Sequence, residues 1–153
     1  MIVYQGVFFD GKDEKLIRTL EKEQLAMKVR NLHCTFNYRP SDNDVFDDIV
    51  GEEIKLMLVG YGCDGNNSGF EVKIPEEMLE YYKNYYGDEI VTPHITTSIA
   101  KVENAFDTKN LDFVSFPKPY IINGKLGYFI SGNTNSFISY EPQIDIKRIR
   151  RRK

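Results

Sequence analysis

The sequence predicts an α+β domain of two lobes that share one cleft. Two observations carry that expectation. Strand-like runs alternate with amphipathic helical segments in the order β-α-β, hairpin, α-β and then further strands. The chain also has only two histidines, and each opens the same triplet, His33-Cys34-Thr35 and His94-Ile95-Thr96. The triplets stand 61 residues apart, each on a predicted strand after a predicted helix, so each lobe offers one triplet to the cleft.

The elements follow in order. Ile2 to Phe9 is a β-rich apolar run, broken by Asp10-Gly11. Leu16, Ile17 and Leu20 mark an amphipathic helix over about residues 13–28. Leu32 to Tyr38 is the second strand, ended by the acidic loop Pro40-Ser41-Asp42-Asn43-Asp44. Glu53 to Tyr61 and Gly69 to Ile74 form a hairpin about Asp64-Gly65-Asn66-Asn67. Pro75 then suits a first helical position, and Met78, Leu79, Tyr82, Tyr85 and Tyr86 make one apolar stripe that Gly87 stops. Val91 to Ala100 carries the second triplet. Phe113 to Phe116, Tyr120 to Ile122, Gly124 to Ile130 and Phe137 to Tyr140 read as short closing strands.

The totals bound the function. At 153 residues, with 41% hydrophobic and 28% charged residues, residues 1–146 fit a single globular domain with a proper core. No apolar run approaches the roughly 18 residues of a membrane span, and the start lacks the features of a signal peptide. The expectation is a cytoplasmic monomer without membrane contact. Cys34 and Cys63 do not form a disulfide framework; Cys34 reads as a small buried apolar residue, which fits a reducing compartment. Residues 147–153 form a basic tail with six positive charges, leaving 14 basic against 23 acidic residues, a body of −9. Such a tail is either a solvated terminus or a sequence-independent contact to RNA.

The triplets carry the chemistry. A strand alternates its side chains, so within each triplet His and Thr share a face and the apolar middle residue faces the other way. With Thr at 7 of 153 positions, a Thr two places after both histidines arises by chance with a probability of roughly 0.2%. Two imidazoles near pKa 6.5 can hold opposite protonation states, one taking a proton from water and the other giving one to a leaving oxygen. The hydroxyls of Thr35 and Thr96 would donate to non-bridging phosphate oxygens. The same parity places Asn37 and Arg39 with His33, and Ser98 with His94; Arg39 becomes a candidate phosphate clamp. Among the tyrosines, Tyr38, Tyr61 and Tyr128 are candidates to stack a base, while helical spacing makes Tyr82, Tyr85 and Tyr86 core residues first.

Rival chemistries fit less well. Zinc needs three or four ligands, and neither a third histidine nor suitably spaced cysteines exist, so no metal or cofactor is expected. No G-x-S-x-G elbow marks a serine hydrolase. Gly60-Tyr61-Gly62 and Gly65 lack the Lys-Ser/Thr of a phosphate loop and read as a hairpin bend.

The segments Leu32-His33-Cys34-Thr35-Phe36 and Pro93-His94-Ile95-Thr96-Thr97, with Tyr38-Arg39-Pro40 after the first, resemble the 2H (two-histidine) phosphoesterase superfamily. Thr97 and Cys34 stand where aliphatic residues are more usual. The resemblance implies a bilobal fold, two antiparallel sheets flanking a central cleft with helices outside, and catalytic roles for His33, Thr35, His94 and Thr96. It implies a metal-independent phosphodiesterase acting on a nucleotide or RNA substrate, at a 2′,3′-cyclic phosphate or a 2′-5′ linkage such as that of 2′-5′ oligoadenylate. The alternatives are a viral or bacterial enzyme that degrades cyclic (oligo)nucleotide immune signals, in the viral case in host cytoplasm, and a non-catalytic nucleotide- or RNA-binding module.

Overall fold

The computed structural model describes residues 1–41 and 45–143, so the middle of the acidic loop and the basic tail at 147–153 lie outside the described residues. Its strands and helix are β1 (Ile2–Phe8), α1 (Gly11–Leu20), β2 (Met27–Lys28), β3 (His33–Tyr38), β4 (Glu53–Cys63), β5 (Asn67–Lys73), β6 (Tyr85–Tyr86), β7 (Glu89–Ile90), β8 (His94–Ile99), β9 (Val114–Ser131) and β10 (Ser136–Ser139). The pairing order β1-β3-β8-β5-β4-β9 returns to its start because β9 also pairs with β1. All of these pairings are antiparallel.

This closure overturns the expected two lobes. The chain is mostly β, 47% strand against 18% helix, and forms a closed six-stranded antiparallel barrel rather than two sheets flanking a cleft. Closing removes the free edges that two open sheets would present. One long strand makes it possible. The segments expected as separate short strands between 113 and 130 are a single β9 that pairs with β4 along one part and with β1 along the other. Between Ser115 and Tyr120 the ladder to β4 is interrupted, where Pro117 and Pro119 have no N–H to offer.

Both expected helices end short of their predicted spans. The first ends at Leu20, because Glu21 turns its carboxylate onto three strand hydroxyls. Its Oε2 accepts from Ser68 Oγ at 2.9 Å, Ser98 Oγ at 2.8 Å and Thr97 Oγ1. In place of the second long helix there is a short 3₁₀ turn, Glu76–Tyr81. Tyr82 is buried and donates to the Val91 carbonyl at 2.6 Å. Tyr85 and Tyr86 then start a small hairpin, β6–β7, and are exposed rather than core.

All six barrel strands feed one interior cluster. Val7, Cys34, Phe36, Leu56, Leu58, Phe70, Ile95, Ile122 and Leu126 are fully buried in it. Leu16, Ile17 and Leu20 pack the helix against the same cluster. The thiol of Cys34 is free and buried, as alternation predicts; burial pushes it up to about 12.

Two glycines let the strands around the triplets approach closely. Gly6 on β1 lies opposite Thr35, and Gly69 on β5 lies opposite Thr96. A Cβ on Gly6 would sit 2.6 Å from the Cys34 carbonyl oxygen, and one on Gly69 would sit 2.5 Å from that of Ile95. Both contacts are to backbone, so the strands themselves must separate. Gly6→Ala and Gly69→Ala are each expected to cost about 1–3 kcal/mol, the usual range for overpacking. Urea unfolding checks this, and midpoints equal to that of the parent would contradict it.

Candidate functional site

The two triplets meet across a single strand pair. Cys34 on β3 pairs with Ile95 on β8. In antiparallel register that places His33 opposite Thr96 and Thr35 opposite His94. Each imidazole therefore neighbours the hydroxyl of the other triplet. Cys34 and Ile95 point into the barrel, and alternation turns the other four outward onto the floor of a cavity of about 410 Å³. The local pattern has a twofold relation. The row Gly6–Thr35–His94 runs one way across the strands, and Gly69–Thr96–His33 runs the other way.

The same relation fixes the rings. His33 Nδ1 lies 2.8 Å from the Asn31 carbonyl oxygen, and His94 Nδ1 lies 2.7 Å from that of Thr92, in each case two residues back. A carbonyl only accepts, so Nδ1 carries the hydrogen and Nε2 keeps its lone pair. Burial lowers both pKa values. His33 is pushed down to about 4, mainly by desolvation, and the charge of His94 lowers it further. His94 is lowered by desolvation first and by the Lys109 ammonium second. In each case the backbone acceptor works the opposite way and loses. Both rings are therefore neutral at pH 7.

The surroundings distinguish the two. Tyr4 stacks on His33 with centroids 4.5 Å apart and planes at 21°, and its hydroxyl lies 3.3 Å from Nδ1. Phe129 stacks on Tyr4 at 5.1 Å, so His33 is backed by a column of rings. Thr96 has its own support: its hydroxyl is 2.8 Å from that of Thr108, which accepts from Asn67 Nδ2 at 3.0 Å. Thr108 and Asn67 are fully buried. When Thr96 turns its hydrogen to an anion, Thr108 can donate back to it, because a hydroxyl holds one hydrogen and two lone pairs.

The parity count fails two residues beyond each triplet. In β3 the pairing with β1 passes from Thr35 to Asn37 and skips Phe36; in β8 the pairing with β5 passes from Thr96 to Ser98 and skips Thr97. Each strand thus carries a bulge, and an extra residue reverses the facing of all that follows. Asn37 and Ser98 are consequently buried away from the cavity, and Ser98 is spent on Glu21 and the Leu25 amide. Tyr38 and Ile99, one place further, line the cavity instead.

Three further candidates lie elsewhere. Arg39 has a left-handed backbone, φ +49°, its guanidinium rests 5.4 Å from the Tyr38 ring centroid, and it is not among the residues that line the cavity. Tyr61 is buried in the barrel and bonded to Ser68 at 2.7 Å. Tyr128 is fully buried in a second cluster with Val45 and Ile130, its hydroxyl donating to Asp47. Neither can stack a base. The cavity walls that sequence reasoning missed are Tyr4, Tyr85, Tyr86, Phe106 and Lys109. Only hairpin signals around Gly87 could have lifted Tyr85 and Tyr86 out of the helical reading.

Among the described residues no group of three or more His, Cys, Asp or Glu is placed to hold a metal ion. Neither known protein families nor curated proteins gave any match to this chain.

Two expectations follow from the site. Nitrogen NMR at pH 7 should find both imidazoles neutral with hydrogen on Nδ1, and His33 should titrate near pH 4; a midpoint for His33 at 6.5 would contradict the burial argument. Thr108→Val removes a buried hydroxyl partner of Asn67 and Thr96 and should cost about 1–3 kcal/mol in urea unfolding. Thr108→Ser should restore most of that loss, and equal losses in the two variants would deny the hydroxyl its role.

Proposed function

We propose that this protein is a metal-independent phosphodiesterase that hydrolyses a nucleotide or RNA phosphodiester, at a 2′,3′-cyclic phosphate or a 2′-5′ linkage. One observation carries the reading. The β3–β8 register sets two imidazoles and two threonine hydroxyls on one cavity floor, with both Nδ1 atoms engaged by backbone and both Nε2 atoms left for chemistry.

In the reaction a water oxygen forms a bond to phosphorus while one Nε2 takes its proton. The bond from phosphorus to the leaving oxygen breaks, and the other imidazole, protonated, delivers a proton to that oxygen. Thr35 and Thr96 donate to the non-bridging oxygens, whose charge is redistributed in the transition state. One ring must be cationic at the start, and the phosphodiester itself favours this, because an adjacent anion raises an imidazole pKa. The likeness of the triplets to those of the 2H phosphoesterases supports the chemistry. The barrel gives it no fold-level support, so the reading rests on the site.

His33→Ala and His94→Ala should each reduce turnover by at least about 10²-fold, the usual size of a lost general acid or base. Affinity for the substrate, followed by equilibrium binding, should change far less, and activity should survive EDTA. A substrate panel of 2′,3′-cyclic nucleotides, 2′-5′ oligoadenylate and RNA ends provides the assay. Binding without turnover of any of them would favour the binding-module alternative, and unchanged rates in both variants would end the acid–base scheme.

A further inference from the structure

Large aromatic side chains exposed to water are concentrated at one place. Six aromatic residues among those described are more than a third exposed: Tyr38, Tyr85, Tyr86, Phe106, Tyr120 and Phe137. The first four all line the cavity above the histidines. None of those four belongs to the barrel core, so packing of the fold does not explain their position. They come from three separate segments: the end of β3, the β6–β7 hairpin, and the loop after β8. Exposed apolar surface gathered at one rim marks a binding face.

Lys109 ties that rim together. Its ammonium lies 4.9 Å from the Tyr86 ring centroid and donates to the Phe106 carbonyl at 2.9 Å. Phe106 in turn meets Tyr38 edge to face at 5.4 Å. Lys109 is the one Lys or Arg that lines the cavity among the described residues.

We propose that this aromatic rim holds the nucleobase of the substrate. The inference rests on the phosphodiesterase reading for the phosphate and extends it to the base. Phosphate on the threonine–histidine floor leaves the base against rings whose π-faces accept any base, so stacking gives affinity with little base preference.

The test compares 2′,3′-cyclic AMP with a base-free five-membered cyclic phosphate, that of propane-1,2-diol, by turnover and by equilibrium binding. The wild-type protein should prefer the nucleotide in kcat/KM, and Phe106→Leu or Tyr86→Leu should shrink that preference by roughly ten-fold, the scale of one lost stacking partner. Tyr86→Phe, which keeps the ring, should retain it. A preference unchanged by either Leu variant would overturn the rim's role. Turnover of neither substrate, with nucleotide binding still weakened by the Leu variants, would sink the hydrolytic reading while leaving the base site standing.

Discussion

The whole site depends on one point of register, Cys34 against Ile95. Both side chains are fully buried in the barrel, flanked in the same row by Val7 and Phe70. Strand side chains have period two, so a slip of one residue would exchange the faces completely. His33 and His94 would then enter a hydrocarbon interior and Cys34 and Ile95 would meet water. Burying four apolar side chains in one row opposes that slip far more strongly than any contact among the outward residues could. The core therefore sets the geometry of the surface, and the imidazoles take their places because their neighbours are apolar.

From that row outward the structure spends its irregularities symmetrically. Gly6 and Gly69 bring the flanking strands close to Thr35 and Thr96, and the bulges at Phe36 and Thr97 follow each triplet at the same distance. The bulge carbonyls are used as well: Phe36 accepts from the Lys83 amide at 2.8 Å and Thr97 from the Val29 amide at 3.0 Å. A regular ladder would have kept Asn37 and Ser98 on the cavity floor. The bulges replace them with Tyr38 and Ile99, exchanging polar neighbours for apolar walls.

This division explains what could be read from the sequence. The triplets, the shared face of His and Thr, and the burial of Cys34 all follow from alternation over three residues, where no irregularity has accumulated. Arg39 and Ser98 were misplaced because parity was carried through a bulge, and a bulge is made by the pairing partner and leaves no local composition signal. The closed barrel was illegible for a related reason. It requires β1 to pair with β9, two segments more than 100 residues apart, and no local pattern encodes that contact. The stripe through Tyr82, Tyr85 and Tyr86 fits a helix equally well by spacing, but Tyr82 finds the Val91 carbonyl and Lys83 the Phe36 carbonyl. Tertiary bonds outbid a short helix whose own propensity is weak.

Symmetry in the floor and asymmetry in the walls then have different consequences. A reaction with one proton donor and one acceptor needs two rings with the same hydrogen-bonding arrangement and different proton affinities. The equivalent backbone carbonyls behind Nδ1 supply the first requirement. The second comes from the surroundings: Tyr4 and its ring column bury His33, while Lys109 places a positive charge near His94. Both influences keep the rings uncharged, which avoids an unpaired cation in a desolvated site. On the proposed chemistry the missing proton arrives with the substrate, because only the phosphodiester's negative charge makes an imidazolium favourable there. On that chemistry the site becomes an acid only once an anion occupies it, so substrate binding and readiness for proton transfer are coupled.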